Sequence, residues 1–296
     1  AQRSHPLILW LVHVFLFGLP MRNAFQLLVI SMPGMGIAGA ALGSAIAIVM
    51  QAGLLALMVW RYDGHLFHVM GWRNGTLIAT LWRHVVFGWP IAITFVSANF
   101  STRVSMLVFS QMSIAAFAAM TLIMPWVMVA GTIGMQWAQA TGIIVAQLLG
   151  EKRGEATLDR FLGSSWRVGF IAAGMVAAIY MVLCLLPDVL YPQLGVETRA
   201  YLSSFTLVLF VLPFPKQSNA ICGNTLRASG DTIYVMHIFV WSQWLFRVPA
   251  TALAVLVFDV HPVWVLSLMF WEELLKFPLF HWRLWRGDWK QSNVST

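Results

Sequence analysis

The sequence predicts an all-α integral membrane protein, a polytopic bundle of about eight transmembrane helices. Of its 296 residues, 59% are hydrophobic and only 10% are charged, and the mean hydropathy is +0.77. A soluble domain carries about 25% charged residues, so this composition excludes a water-soluble enzyme or nucleic-acid-binding domain. No region shows the period-two alternation of membrane barrel strands. Because backbone polar groups in lipid must be satisfied within each segment, the spans are helices.

Eight apolar stretches are long enough to cross a membrane, since a helix needs about 20 residues to span a hydrocarbon core of about 30 Å. In chain order they are residues 7–31, 37–60, 85–110, 114–148, 166–186, 202–222, 233–258 and 262–282.

Two of these stretches need a separate justification. The first is longer than the apolar part of a signal peptide, about 7–15 residues, and it contains Pro20 and Arg22, so we expect a span rather than a leader. The fourth is too long for one straight crossing and contains Gly131 and Gly134. It therefore predicts a bent helix that reaches into the cytoplasmic boundary.

Local residues also shape the sixth and seventh stretches. Pro213 and Pro215 each remove a backbone donor, which predicts a kink in the sixth span and free carbonyl groups beside Lys216 and Asn219. Broken helices at membrane depth tend to line cavities. Asp231 directly precedes the seventh span and is expected to cap it.

The positions of the 18 Lys and Arg residues predict the orientation. With the amino terminus inside, eleven fall in inside segments, one (Arg199) falls outside and six lie within spans. The positive-inside rule then places both chain ends in the cytoplasm, and a bacterial inner membrane is the expected location. Topology and contact with anionic lipid account for the basic pI, so nucleic acid is not an expected partner.

Four local patterns resemble segments of the multidrug and toxin extrusion (MATE) transporters. They are PGMGIAGAALG at 33–43, GIIVAQLLGEKRGEA at 142–156, LRASGDT at 226–232 and GDW at 287–289. The resemblance implies a protein of twelve spans in two six-helix lobes, of which this chain resembles the fifth to twelfth. Because the chain opens at Ala1 without methionine, we expect the start of the protein to be absent.

The resemblance also implies a division of the chain into four parts. Residues 1–60 hold the last two helices of the first lobe, and residues 61–84 form a cytoplasmic linker. Residues 85–282 form a complete second lobe, and residues 283–296 are a cytoplasmic tail.

Charged residues in the last span are candidates for ion coupling. Glu272 and Glu273 lie near mid-depth with Lys276 one turn on, and Arg247 of the preceding span lies at a similar depth on the other side of the turn near Val260. Charges in hydrocarbon cost at least about 2.5–3.5 kcal/mol each on insertion scales. The cluster is therefore either a proton or sodium relay, or a static ion-pair network that joins two helices.

Some MATE branches carry coupling carboxylates in the seventh and tenth spans. Here the matching stretches run through Asn99 and from Pro213 to Asn219, and neither holds an acid. Asn99 is kept as a coupling candidate at this place, while the missing acids put sodium coupling of that type in doubt.

Polar and aromatic residues at depth are the candidates for a substrate cleft. They are Gln136, Gln139, Asn219, Gln243, Trp126 and Trp241. Aromatic rings suit amphipathic organic cations. The same polar side chains could instead bond neighbouring helices, each contributing about 0.6 kcal/mol.

The resemblance predicts a secondary active transporter that exchanges protons or sodium ions for cationic or amphipathic organic compounds by alternating access. We expect no catalytic residue, metal site or cofactor. We expect the protein to contact membrane lipid and to function as a monomer when full length. A flippase for lipid-linked saccharides is the alternative within transport, which a large cationic cleft would favour. A membrane enzyme is a further class, but no H-E-x-x-H or G-x-S-x-G pattern supports it. A non-transporting scaffold subunit is the remaining alternative.

Overall fold

The computed structural model describes residues 77–290, together with isolated helical positions at 42, 45–46, 49–50, 52–53 and 57. The predicted spans 7–31 and 37–60 and the motif at 33–43 lie outside the described residues, apart from those positions. The chain divides into two compact units, Ala1–Thr80 and Leu81–Thr296. The helices described below belong to the second unit, and the first of them begins four residues before it, at Leu77.

The described residues form helices and short connections, without strands. In chain order the helices are α1 (Leu77–Phe109), α2 (Ile114–Gly150), α3 (Glu155–Leu185), α4 (Pro187–Leu190), α5 (Val196–Ser204), α6 (Thr206–Val211), α7 (Pro213–Ala228), α8 (Thr232–Val257) and α9 (Pro262–Trp285), followed by a 3₁₀ turn at Asp288–Lys290.

The first two helices run longer than the sequence predicts. Helix α1 begins at Leu77, inside the stretch expected to be a linker. Helix α2 is continuous over 37 residues and begins where the Ser113 hydroxyl accepts a hydrogen bond from the Ala116 amide at 3.2 Å. At 1.5 Å per residue it is about 55 Å long, well beyond the hydrocarbon thickness.

The predicted sixth span is broken. The segments Val196–Val211 and Pro213–Ala228 meet at an angle of 41°. The bend lies at Pro213, where the chain loses a backbone donor, so the predicted kink is confirmed.

Four described helices are long and apolar enough to span a membrane, α1 from Leu81, α2, α3 and α8, and the bent pair makes a fifth. Helix α9 has 24 residues, which suffices in length. It carries Glu272, Glu273 and Lys276 in its middle, which lowers its apolar character. Helix α8 contains two π-helical segments, Ser242–Arg247 and Leu253–Val257.

Helix α7 packs against α2, α3 and α9, and small residues allow it to approach them closely. A Cβ built on Gly142 of α2 would lie 2.9 Å from the backbone oxygen of Asn224. A Cβ on Gly169 of α3 would lie 2.7 Å from Cδ1 of Ile221. Close backbone packing of this kind drives helix association in lipid, where no hydrophobic force acts between helices.

Candidate functional site

A buried network of four charged side chains joins α8 and α9. Lys276 donates to Glu273 Oε1 at 2.8 Å and to Glu272 Oε1 at 3.2 Å, and Arg247 Nη1 lies 3.2 Å from Glu272 Oε2. Glu272, Glu273 and Lys276 are 3%, 8% and 2% exposed. Two cations therefore face two carboxylates, and we call these four residues the charged cluster.

Helix periodicity explains why the cluster forms. Glu272 and Glu273 precede Lys276 by four and three residues, so all three side chains share one face of α9. Arg247 ends the π-helical segment of α8, and the hairpin between α8 and α9 brings it to the depth of Glu272. The sequence predicted that Arg247 would meet Glu272 and Glu273, and its direct partner is Glu272.

Polar side chains of α1 extend the network. The Ser101 hydroxyl accepts a hydrogen bond from Arg247 Nη2. Gln243 Oε1 accepts from Ser97 Oγ at 2.9 Å and from Ser101 Oγ at 3.4 Å, and Trp244 Nε1 donates to Ser97 Oγ at 2.9 Å. The two serines were not singled out from the sequence, because single hydroxyls in an apolar helix give no signal of their own.

Asn219 connects the bent span to the charged cluster. Its Nδ2 donates to the backbone oxygen of Glu273 and to Glu273 Oε2, both at 2.8 Å, and the residue is 1% exposed. Its Oδ1 is buried and has no hydrogen-bond partner among the described residues. Asn219 thus bonds a neighbouring helix, as Gln243 does, and a substrate role for either stays a prediction.

A small cavity lies beside the bend. It has a volume of about 30 Å³ and is lined by α2, α3 and the first turns of α7, including Gly131, Tyr180, Lys216 and Gln217. A Cβ built on Gly131 would lie 3.6 Å from Lys216 Nζ, and one on Gly134 would clash with Gln217 Oε1. These glycines therefore make room for the two long side chains of α7.

The other predicted site residues lie apart from the charged cluster. Asn99 is exposed, and its Nδ2 donates to the Phe95 carbonyl of its own helix at 2.9 Å. Gln136 is exposed and Gln139 is partly buried. Trp126 and Trp241 are also exposed, and Trp126 Nε1 donates to the Tyr191 hydroxyl at 2.9 Å.

Asp231 does not act as the predicted helix cap. It occupies the N-cap position of α8, but its side chain makes no capping hydrogen bond. Its Oδ2 accepts from Arg283 Nε of α9 at 2.8 Å instead. Gly230, with φ of +96°, supplies the turn before α8.

A hydrogen bond between Ser218 and His281 also joins α7 to α9 and was not anticipated. His281 Nδ1 donates to the Phe277 carbonyl at 2.7 Å, and Nε2 then accepts from Ser218 Oγ at 2.8 Å. Within the part of the chain that the structure describes, no three His, Cys, Asp or Glu residues lie together in a way that could hold a metal ion.

Comparison with known protein families shows which family these helices belong to. The MatE family model matches residues 90–253, more than half of the chain. The chain belongs to the MATE transporter family. The match runs from α1 through most of α8, so it includes the bend, the cavity and Arg247 of the charged cluster, and it ends before α9.

Solved MATE structures share the fold. A mutant of the Vibrio cholerae MATE transporter VcmN aligns with a TM-score of 0.71 at 15% identity, over 94% of this chain and 63% of its own. A MATE in the straight conformation aligns at 0.68 and 16% identity, over 94% of this chain and 62% of its own. An inward-facing multidrug resistance MATE transporter of the MOP superfamily aligns at 0.65 and 15% identity, over 95% and 65%. No curated protein matches the sequence.

The chain thus spans less than two thirds of the length of these MATE structures. Its fold, a polytopic helical membrane protein, agrees with the sequence prediction.

Proposed function

We propose that the chain is part of a secondary active efflux transporter that exchanges protons or sodium ions for cationic or amphipathic organic compounds. The observation that carries this proposal is the MatE match over the same helices that hold the bent span and most of its contacts. The whole transporter would work by alternating access, with its two lobes moving around a central cleft.

The bent span supports alternating access. Its second half, α7, is fixed to α9 through Asn219 and Glu273 and approaches α2 and α3 at glycines. The bend at Pro213 separates this fixed half from α5 and α6. Discontinuous helices are where transporters commonly place substrate and ion sites.

Glu272 and Glu273 remain the coupling candidates in this chain, because they are the acidic residues buried at depth among the described residues. Each faces a cation, so a coupling ion would have to compete with Arg247 or Lys276 for a carboxylate oxygen. Asn99 is a weaker candidate, since its amide bonds its own helix and does not reach the charged cluster.

Exposed aromatic and amide side chains support the proposed substrate class. Trp241 and Trp126 are 54% and 40% exposed and offer aromatic faces, and Gln136 and Gln139 offer amide groups on α2. Organic cations bind such faces through cation–π contacts worth about 0.5–2 kcal/mol. We place the protein in a bacterial inner membrane, as a monomer with both ends cytoplasmic.

A specific observation favours the flippase alternative. Lys216 lines the cavity beside the bend and adds positive charge beyond the charged cluster, and positive charge of this kind suits an anionic lipid-linked saccharide. A scaffold subunit without transport remains the third candidate.

Drug accumulation in cells that express the complete gene product tests the proposal. Cells deprived of their own efflux pumps should accumulate less of a fluorescent organic cation such as ethidium, and a protonophore or sodium removal should abolish the difference. Pro213→Ala with Pro215→Ala should reduce export, whereas exposed Lys152→Gln should not. Unchanged accumulation with the protein correctly inserted would contradict drug export, and translocation of a labelled lipid-linked saccharide would then support the flippase.

A further inference from the structure

Lys216 carries a charge that no described side chain contacts directly, although Glu273 lies within electrostatic range. It lies in the first turn of α7, partly buried, and its ammonium forms no ion pair or hydrogen bond with any described residue. An ammonium removed from water is strongly unfavourable unless a partner compensates it. The Lys216 ammonium therefore requires a negatively charged partner.

The chain itself offers little to supply that charge. Within the described spans the buried acids are Glu272 and Glu273, which Arg247 and Lys276 already occupy. All other acidic residues lie at helix ends or in connections, and Asp63 alone lies outside the described residues.

The cavity beside Lys216 can accept a small ligand. Its volume of about 30 Å³ exceeds the roughly 10–15 Å³ that a single water requires. Gln217 also lines it, is 5% exposed, and has an Nε2 with no hydrogen-bond partner among the described residues. An ammonium and an amide on consecutive residues thus line this cavity.

The remaining walls limit what can bind. The Tyr180 hydroxyl donates to the Val127 carbonyl at 2.9 Å, so its proton is already used. Most other lining residues are apolar or lack a side chain, among them Ala173, Val176 and Leu212. An ammonium can only donate, so the ligand that fits Lys216 is an acceptor with negative charge.

We propose that Lys216 and Gln217 form a binding site for one small monovalent anionic group. A free chloride ion and the carboxylate of an organic molecule share this chemistry. The site shares no hydrogen bond or ion pair with the charged cluster, although Lys216 feels the charge of Glu273. It does not depend on whether the protein exports organic cations.

Thermal unfolding of the purified full-length protein, followed by tryptophan fluorescence, tests the site. Chloride or acetate is titrated against bulky isethionate at constant ionic strength. Chloride should raise the unfolding temperature saturably, and Lys216→Gln should raise the half-saturating concentration at least tenfold. Lys216→Arg should retain binding, and the exposed control Lys152→Gln should match the wild type.

A second variant tests the cavity without changing the charge of Lys216. Gly131→Ala places a methyl group 3.6 Å from Lys216 Nζ, so it should weaken anion binding by filling the cavity. Crystals grown in bromide should show an anomalous peak beside Lys216.

The chloride and acetate titrations distinguish a free inorganic anion from the carboxylate of an organic ligand. Saturation by chloride identifies a free inorganic anion, and saturation by acetate alone identifies the carboxylate of an organic ligand. No saturable effect of either anion, or the same effect in Lys216→Gln, would overturn the proposal. Because the readout is binding, it is independent of the outcome of the export assay.

Discussion

Replacing Lys276 by Met should destabilise the second unit strongly. Lys276 is 2% exposed and donates to both Glu273 and Glu272, at 2.8 and 3.2 Å. Its loss leaves two buried carboxylates with Arg247 as the one cation of the charged cluster. Removing one partner of a buried ion pair costs about 3–5 kcal/mol, because the other charge stays buried.

A second substitution should restore most of this loss. In the double variant Glu273→Gln with Lys276→Met, Arg247 and Glu272 remain as a balanced pair at 3.2 Å. The new amide oxygen can still accept the hydrogen bond that Asn219 donates to Glu273 Oε2 at 2.8 Å. Replacing both partners of a polar contact costs far less than orphaning one of them.

The assay is reversible unfolding of the full-length protein in mixed micelles, monitored by tryptophan fluorescence. Lys290→Met is the matched control, since Lys290 contacts Asp159 at 2.7 Å but that carboxylate is 57% exposed. An exposed pair contributes about 0–1 kcal/mol. A loss below about 1 kcal/mol for Lys276→Met, or a double variant as unstable as the single one, would refute the reasoning about buried charge.

Two further pairs of substitutions probe packing and the turn before α8. Gly142→Ala should destabilise by about 1–3 kcal/mol, because its Cβ would lie 2.9 Å from the Asn224 backbone oxygen. Gly163→Ala, which meets nothing within 4 Å, should stabilise α3 by about 0.5–1 kcal/mol, and equal effects in unfolding experiments would contradict the packing. Asp231→Asn should lose as much stability as Asp231→Ala, up to about 1 kcal/mol, since the side chain pairs with Arg283. A stable Asp231→Asn would indicate a cap instead, because asparagine caps as well as aspartate.

Patterns that act within one helix or one hairpin were readable from the sequence. Apolar length predicted the spans formed by α1, α2, α3, α8 and the bent pair, and Pro213 predicted the bend. The spacing of Glu272, Glu273 and Lys276 put three charges on one face. Each of these follows from helix geometry or backbone chemistry alone.

Contacts between helices were the part that sequence reasoning missed. Ser101 meets Arg247 across 146 positions, and Ser218 meets His281 across 63. Asn99 was selected for its depth, and its amide bonds its own helix, so its coupling role stays a prediction. Which face a helix presents depends on its rotation in the bundle, and single polar residues do not fix that rotation.

Lys216 was visible in the sequence as a charge within a span, but its isolation was not. The signal was the excess of positive charge within the predicted spans, where six Lys or Arg residues stand against Glu272 and Glu273. The structure was needed to show that the acids already bind Arg247 and Lys276.

Transport by the purified full-length protein in liposomes tests the central claim most directly. Vesicles carrying an imposed proton or sodium gradient should move a labelled organic cation against its own gradient, and the movement should stop when an ionophore collapses the ion gradient. Absence of coupled movement, in vesicles where the same preparation unfolds cooperatively and is correctly inserted, would contradict the account.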